Sequence, residues 1–436
     1  MTLNLKSWFF RHKALSDIGM YYISTAINQA VPFLLLPVFT LYLLPNDFGF
    51  INTFSALLVL ATSLFSGLSI TITKHFFTQS QDFKRRLIGN LYLTLAMGTI
   101  LTLLLSMALL FFFKIRFIPT TYFLAIPLVT FFNMSLEFLK TLYRASKKTV
   151  AYAALTFSEV MANVAISLIL IIGFSWHWQG RVVGVMISLM LFGMLAMLIL
   201  IKKEKIVFSF NADVFREILK VGVPLIPLGL SVMIMRRSGV LFIDSSLGKD
   251  EAGLYGVALN LASLILFLSV PIINVWTPYL YEKLSKSAGV DILNRLYHKV
   301  LLLSIGVCVL SALFSLFSGD VLGLMTTAAF VRAGRFIPWI AFGFSMWMMT
   351  ALLTPFLVHF NRQKIIALTA SGGAVVNLGL NYCLISKYGS IGAALSFFIA
   401  NLLCTLIMFR TVRHIGRLPF FPSFRILLQE AGGVIK

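Results

Sequence analysis

Two adjacent arginines, Arg236 and Arg237, stand inside the apolar run "MIMRRSGVLFID" (233–244). A guanidinium presents paired donors in one plane, which suits phosphate oxygens, and two of them suit a diphosphate. An arginine at the centre of a membrane costs roughly 2.5–3.5 kcal/mol on insertion scales. The pair therefore points to a water-filled cavity and an anionic ligand. The competing reading is that both side chains snorkel outward or pair with Asp244. Adjacent helical residues point in different directions, so only one of the two need face a ligand, and the sequence leaves open which.

Other polar groups in apolar runs carry two readings each. Glu159 lies well inside the fifth run with Asn163 one turn later, and is either a proton or sodium coupling site or a buried structural partner. Asn28 and Gln29 either face a cavity or join helices by hydrogen bonds. Lys74 and His75 end the second run, where they either capture a ligand or act as topology charges. Glu137 precedes Lys140 by three residues, the spacing of an ion pair along one helix. His177, flanked by Trp176 and Trp178, reads as part of an aromatic belt. No metal-binding triad, phosphate-binding glycine loop or nucleophile constellation is legible, so neither a cofactor nor an enzymatic activity is expected. Cys308, Cys383 and Cys404 all fall in apolar runs without paired spacing and read as small core residues.

The elements that must hold these groups are membrane helices. Of the 436 residues 59% are hydrophobic and 12% charged, and mean hydropathy is +0.93. A soluble surface cannot be covered with so little charge. Apolar stretches of about 20 or more residues lie at roughly 17–43, 48–73, 87–113, 119–140, 150–174, 180–201, 218–243, 252–280, 298–318, 336–359, 365–386 and 389–410. Only helices satisfy their own backbone in lipid without closing a barrel. The expected fold is an all-α polytopic membrane protein of twelve transmembrane helices. The net charge of +21 is spread in short clusters between the runs, which marks topology and not nucleic acid. Alternate connections carry 27 and 7 basic residues, Arg181 among the seven, and the remaining two are Arg236 and Arg237. The positive-inside rule then places both termini in the cytoplasm. The opposite loops are short, which counts against a glycan polymerase or ligase working on that face.

A weak internal repeat divides the chain. "LLPNDFGFINTFSA" (43–56) and "LGKDEAGLYGVALN" (247–260) each place an acid two residues before a glycine and then open an apolar run. Lys148 and Asn163 correspond in the same way to Arg362 and Asn377. The expectation is two six-helix bundles, 1–205 and 206–436, related by a pseudo-two-fold along the membrane normal. Pro32, Pro37, Pro224, Pro227 and Pro271 kink their helices, for packing or for movement.

Two stretches carry a family resemblance. "IDSSLGKDEAGLYGVALNLASLILFLSVPIINVWTPYLYEKL" (243–284) resembles the polysaccharide-biosynthesis export family, the Wzx-type O-antigen flippases, within the superfamily of multidrug exporters and the lipid II flippase. The matching features are Asp244, the Gly253-Leu254-Tyr255 start and the Trp276-Thr277-Pro278 end; "VPFLLLPVFTLYLLPNDFG" (31–49) resembles the family's first-helix ending. The resemblance implies transfer of an undecaprenyl-diphosphate-linked oligosaccharide between leaflets of the bacterial inner membrane, beside other surface-polysaccharide assembly proteins. It also implies a basic cavity lined by helices 1, 2, 7 and 8. Many relatives carry a basic residue where this chain has Leu41, which leaves Arg236 or Arg237 to bind the head group. The rival on the same architecture is a cation-coupled multidrug exporter, which calls for acids in the cavity.

Overall fold

The computed structural model describes residues 31, 33–76, 80–113, 117–203, 206–286 and 290–416. Among them there are helices and connecting turns and no strand. Ten helical stretches are long and apolar enough to cross a membrane, and the bent pair Pro45–Ser63 and Ser66–Phe76 makes an eleventh. The protein is thus a multi-pass membrane protein. Most of the first expected span, with Asn28 and Gln29, lies outside the described residues.

The elements are α1 (Leu36–Tyr42), α2 (Pro45–Ser63), α3 (Ser66–Phe76), α4 (Gln81–Phe113), α5 (Thr120–Ala145), α6 (Thr149–Leu168), α7 (His177–Lys203) and α8 (Ala212–Gly222). They continue with α9 (Ile226–Leu247), α10 (Lys249–Ala262), α11 (Leu264–Lys286), α12 (Val290–Leu316), α13 (Ser318–Met325), α14 (Ile337–His359), α15 (Gln363–Tyr388) and α16 (Ser390–Gly416). Packing groups these into two compact units. One holds the described residues up to Met233 and Gly248–Gly253, and the other holds Ile234–Leu247 and the described residues from Leu254 onward.

In the first unit α7 packs on α5 and α6, and in the second α16 packs on α14 and α15. Small residues let backbones approach, since lipid supplies no hydrophobic drive for helices to associate. A Cβ on Gly193 would meet the Phe132 backbone, and one on Gly184 would meet Ser167.

The repeat signals mark helix starts. Leu44 donates its backbone N–H to Asp47 Oδ2 at 3.0 Å, so the acid closes the first turn of α2 behind Pro45. Asp250 and Glu251 occupy the first turn of α10, where a negative charge faces the positive end of the helix dipole. The glycines of the two repeats meet within the first unit. A Cβ on Gly49 would strike the Lys249 backbone, and one on Gly253 would strike the Pro45 carbonyl and the Gly49 nitrogen. Gly253→Ala is therefore expected to destabilise the protein by about 1–3 kcal/mol through overpacking. Thermal unfolding in detergent reads this, and an unchanged midpoint would mean that the crossing has slack.

The seventh span starts at Ala212 and runs to Leu247 with a short 3-10 turn inside it. Asn211 caps α8, its side-chain oxygen accepting from the Asp213 and Val214 amides at 3.0 Å each. Val214, Ile218 and Gly222 form its buried stripe. Pro224 then ends it in a short 3-10 turn, Val223–Leu225, before α9 begins. Among the cysteines Cys404 is buried as expected, but Cys383 is exposed and Cys308 only half-buried. An apolar run in a membrane protein does not distinguish core from lipid-facing positions.

Candidate functional site: the intramembrane polar groups

Arg236 stands ten residues beyond Ile226 and eleven before Leu247, at the middle of α9. Counted along the whole helical stretch Ala212–Leu247, it lies about two-thirds of the way to the far end. Arg236 is exposed and Arg237 half-buried. The Arg236 guanidinium lies 5.8 Å from the Phe344 ring centroid, a cation–π arrangement that leaves its donors open. No carboxylate pairs with either arginine among the described residues. Asp244, about 12 Å further along the helix, is not a counter-ion to them.

Beside the arginines, Ser238 donates to Asn377 Oδ1 at 2.9 Å. The Asn381 amide reaches Ser238 Oγ at 3.0 Å and Asn377 Oδ1 at 3.1 Å. All three residues are buried. This cluster ties α9 to α15 and fixes the rotation of the helix that carries the arginines. Asn377 and Asn381, one turn apart in an apolar run, were the available sequence signal.

The first unit holds a second set of charges. Lys140 Nζ stands 3.4 Å from Glu137 and 3.6 Å from Glu159, joining α5 to α6. Arg144 reaches Glu137 at 3.7 Å. Arg181, at the start of α7, donates to Asn163 Oδ1 and to Ser167 Oγ, the latter at 2.8 Å, and lies 5.1 Å from the Phe39 ring centroid. The side chain is thus held within the helix packing. Leu41, two residues past Phe39, is exposed.

Lys74 forms an ion pair with Glu217 of α8 at 2.7 Å, and His75 stands 3.4 Å from the same carboxylate. Both residues therefore hold α8 against the end of α3.

Residues 14–283 match the polysaccharide biosynthesis protein family, and the chain belongs to that family. It is 23% identical over 280 residues to an uncharacterized membrane protein of Haemophilus influenzae, spanning 63% of this chain and 67% of that one. Two solved structures share the fold. One is an inward-facing multidrug resistance MATE family transporter of the MOP superfamily, with TM-score 0.68, 15% identity, and 93% of this chain and 98% of that one covered. The other is the lipid II flippase MurJ in an inward closed conformation, with TM-score 0.67, 12% identity, and 95% and 96% covered. By name, these two neighbours are a transporter and a flippase.

Proposed function

We propose that the protein is a flippase for an undecaprenyl-diphosphate-linked oligosaccharide, an O-antigen or similar repeat unit. It carries this cargo from the cytoplasmic to the periplasmic leaflet of the bacterial inner membrane. The observation that carries the reading is the Arg236–Arg237 pair, unneutralised at the middle of α9, in a chain of the polysaccharide biosynthesis family. A diphosphate supplies the two charges and the in-plane acceptors that the pair lacks. The prenyl tail stays in lipid. The two halves of the repeat, 1–205 and 206–436, rock so that the site opens to one face and then the other, with both termini in the cytoplasm. Lys74 and His75 lie at a membrane boundary, where first capture of the diphosphate would compete with Glu217 for the lysine.

The multidrug-exporter reading shares the fold equally, since the two neighbours differ by only 0.01 in TM-score. Cationic drugs and ions call for an available acid, and Glu159, inside its span, is already paired with Lys140. Deleting the gene separates the two. The flippase reading expects surface polysaccharide to disappear and lipid-linked oligosaccharide to accumulate where a periplasmic glycosidase cannot reach it in spheroplasts. Normal display together with raised drug susceptibility would replace this reading with the exporter.

A further inference from the structure

In the second unit, α11 and α14 line an open cavity of about 380 Å³ whose polar lining is Asn274, Thr277, Tyr281, Trp347 and Thr354. The remaining lining is apolar, and no charged side chain contributes. Two neighbouring aromatics are fully committed. The buried Trp276 donates its indole N–H to the Leu352 carbonyl at 2.9 Å, and the Tyr279 hydroxyl accepts from Lys299 at 2.8 Å. These bonds brace α11 against α14 and α12, so the cavity walls are held from behind.

The lining groups themselves are open. The Asn274 amide, the Tyr281 hydroxyl and the Trp347 indole N–H have no hydrogen-bond partner among the described residues. Thr277 and Thr354 donate one turn back, to Ile273 at 2.9 Å and Thr350 at 2.8 Å, and keep oxygen lone pairs for an incoming donor. The backbone adds acceptors. Pro278 and Pro355 lie inside α11 and α14, and proline cannot donate to the carbonyl four residues before it. Those carbonyls belong to Asn274 and Ala351, both of which line the cavity. Three donors, several acceptors and two aromatic rings converge on one small uncharged space.

All five polar residues are only half-buried, so their polar groups are within reach of a ligand. The cavity therefore takes a ligand rich in hydroxyls. An anion would find no cation here, and a prenyl tail or an apolar drug would leave the amide and the indole unpaired. A sugar ring has hydroxyls to donate and accept around its edge, and an apolar C–H face to lay on an aromatic ring. We propose that this cavity is a carbohydrate-binding site that takes an uncharged pyranose of the lipid-linked oligosaccharide. Trp347 and Tyr281 supply the faces, and Asn274 with the two released carbonyls reads the hydroxyls. The inference rests on the flippase reading and adds the part of the cargo that the arginines do not recognise.

The test compares two probes on the purified full-length protein: the lipid-linked oligosaccharide pool extracted from the native host, and undecaprenyl diphosphate without sugar. The wild type is expected to bind the glycosylated lipid more tightly. Asn274→Leu and Trp347→Ala should each weaken that binding about tenfold and leave binding of the bare diphosphate unchanged. Trp347→Phe keeps an aromatic wall without the N–H, and should lose part of the difference even if the alanine variant does not fold. Equal wild-type affinity for the two lipids, or Asn274→Leu and Trp347→Phe variants that retain the full preference, would overturn the sugar site while leaving the flippase reading standing. Failure of the wild type to bind either lipid would overturn the flippase reading, and the sugar site with it.

Discussion

Replacing Arg236 and Arg237 together by glutamine is expected to abolish surface polysaccharide while the protein still reaches the membrane in normal amount. A hydrogen bond to a charged group contributes about 1.5–3 kcal/mol. Losing two arginines from a diphosphate thus weakens binding by about 3–6 kcal/mol, roughly 10²- to 10⁴-fold. Glutamine keeps an uncharged amide donor on a shorter side chain, so the loss reports the guanidinium's charge and reach. The single variants should differ. Arg236 is exposed with only the Phe344 ring beside it, whereas Arg237 is half-buried. Arg236→Gln should account for most of the effect and Arg237→Gln for the lesser part. Glycan staining alongside immunodetection of the protein in membranes measures both. Normal display by the double variant would remove the arginines from the mechanism.

Lys140→Met is expected to lower stability sharply, and Glu159→Gln placed on top of it to restore most of the loss. Lys140 is buried, its side chain 11% exposed, and the Glu159 side chain is 13% exposed. Removing the lysine strands a carboxylate inside a span, which for a buried pair costs about 3–5 kcal/mol. Removing both charges deletes the desolvation penalty with the attraction, so the double variant lies near the wild type. The thermal midpoint in detergent and the yield of folded protein report it. If Glu159 instead serves as a coupling site, the double variant will fold yet fail to display polysaccharide. Full stability of Lys140→Met alone would show that the pair is not structural.

Membrane character and helical class were legible from hydropathy alone, because a chain in lipid has so few ways to satisfy its backbone. The arginine pair was legible for the same reason: charge in an apolar run is rare enough to be noticed. The 3-10 turn at Val223–Leu225 was not, because hydropathy runs straight through it. Arg181 was hidden by its own length, since a residue counted at a helix end can send its guanidinium a full turn back toward the interior. The Ser238–Asn377–Asn381 cluster joins residues 139 and 143 positions apart in sequence, so only the packing of α9 on α15 brings it together. Trp347 and Tyr281 belong to the same class. Each is an ordinary aromatic in an apolar run, and only the unmet donors around a shared space set them apart.

The described residues 206–222, which follow the first half, are tied to α4. Asn90 of α4 donates to the Ser209 carbonyl at 2.9 Å and accepts from the Asn211 amide at 3.0 Å, while a Cβ on Gly89 would strike the Val207 carbonyl. Residues 206–222 are thus part of the surface of the first unit and depend on it for their shape. Chimeras with relatives make the consequence practical. A splice at 205 would hand one parent's connecting segment to another parent's docking surface, with Asn90 and Glu217 left facing strangers. A splice between 223 and 233 would carry the segment with the surface that reads it, and would leave both arginines with the incoming half. The unit of inheritance in this protein is accordingly longer than half the chain, and the exchangeable part that holds Arg236 and Arg237 begins inside the helical stretch Ala212–Leu247.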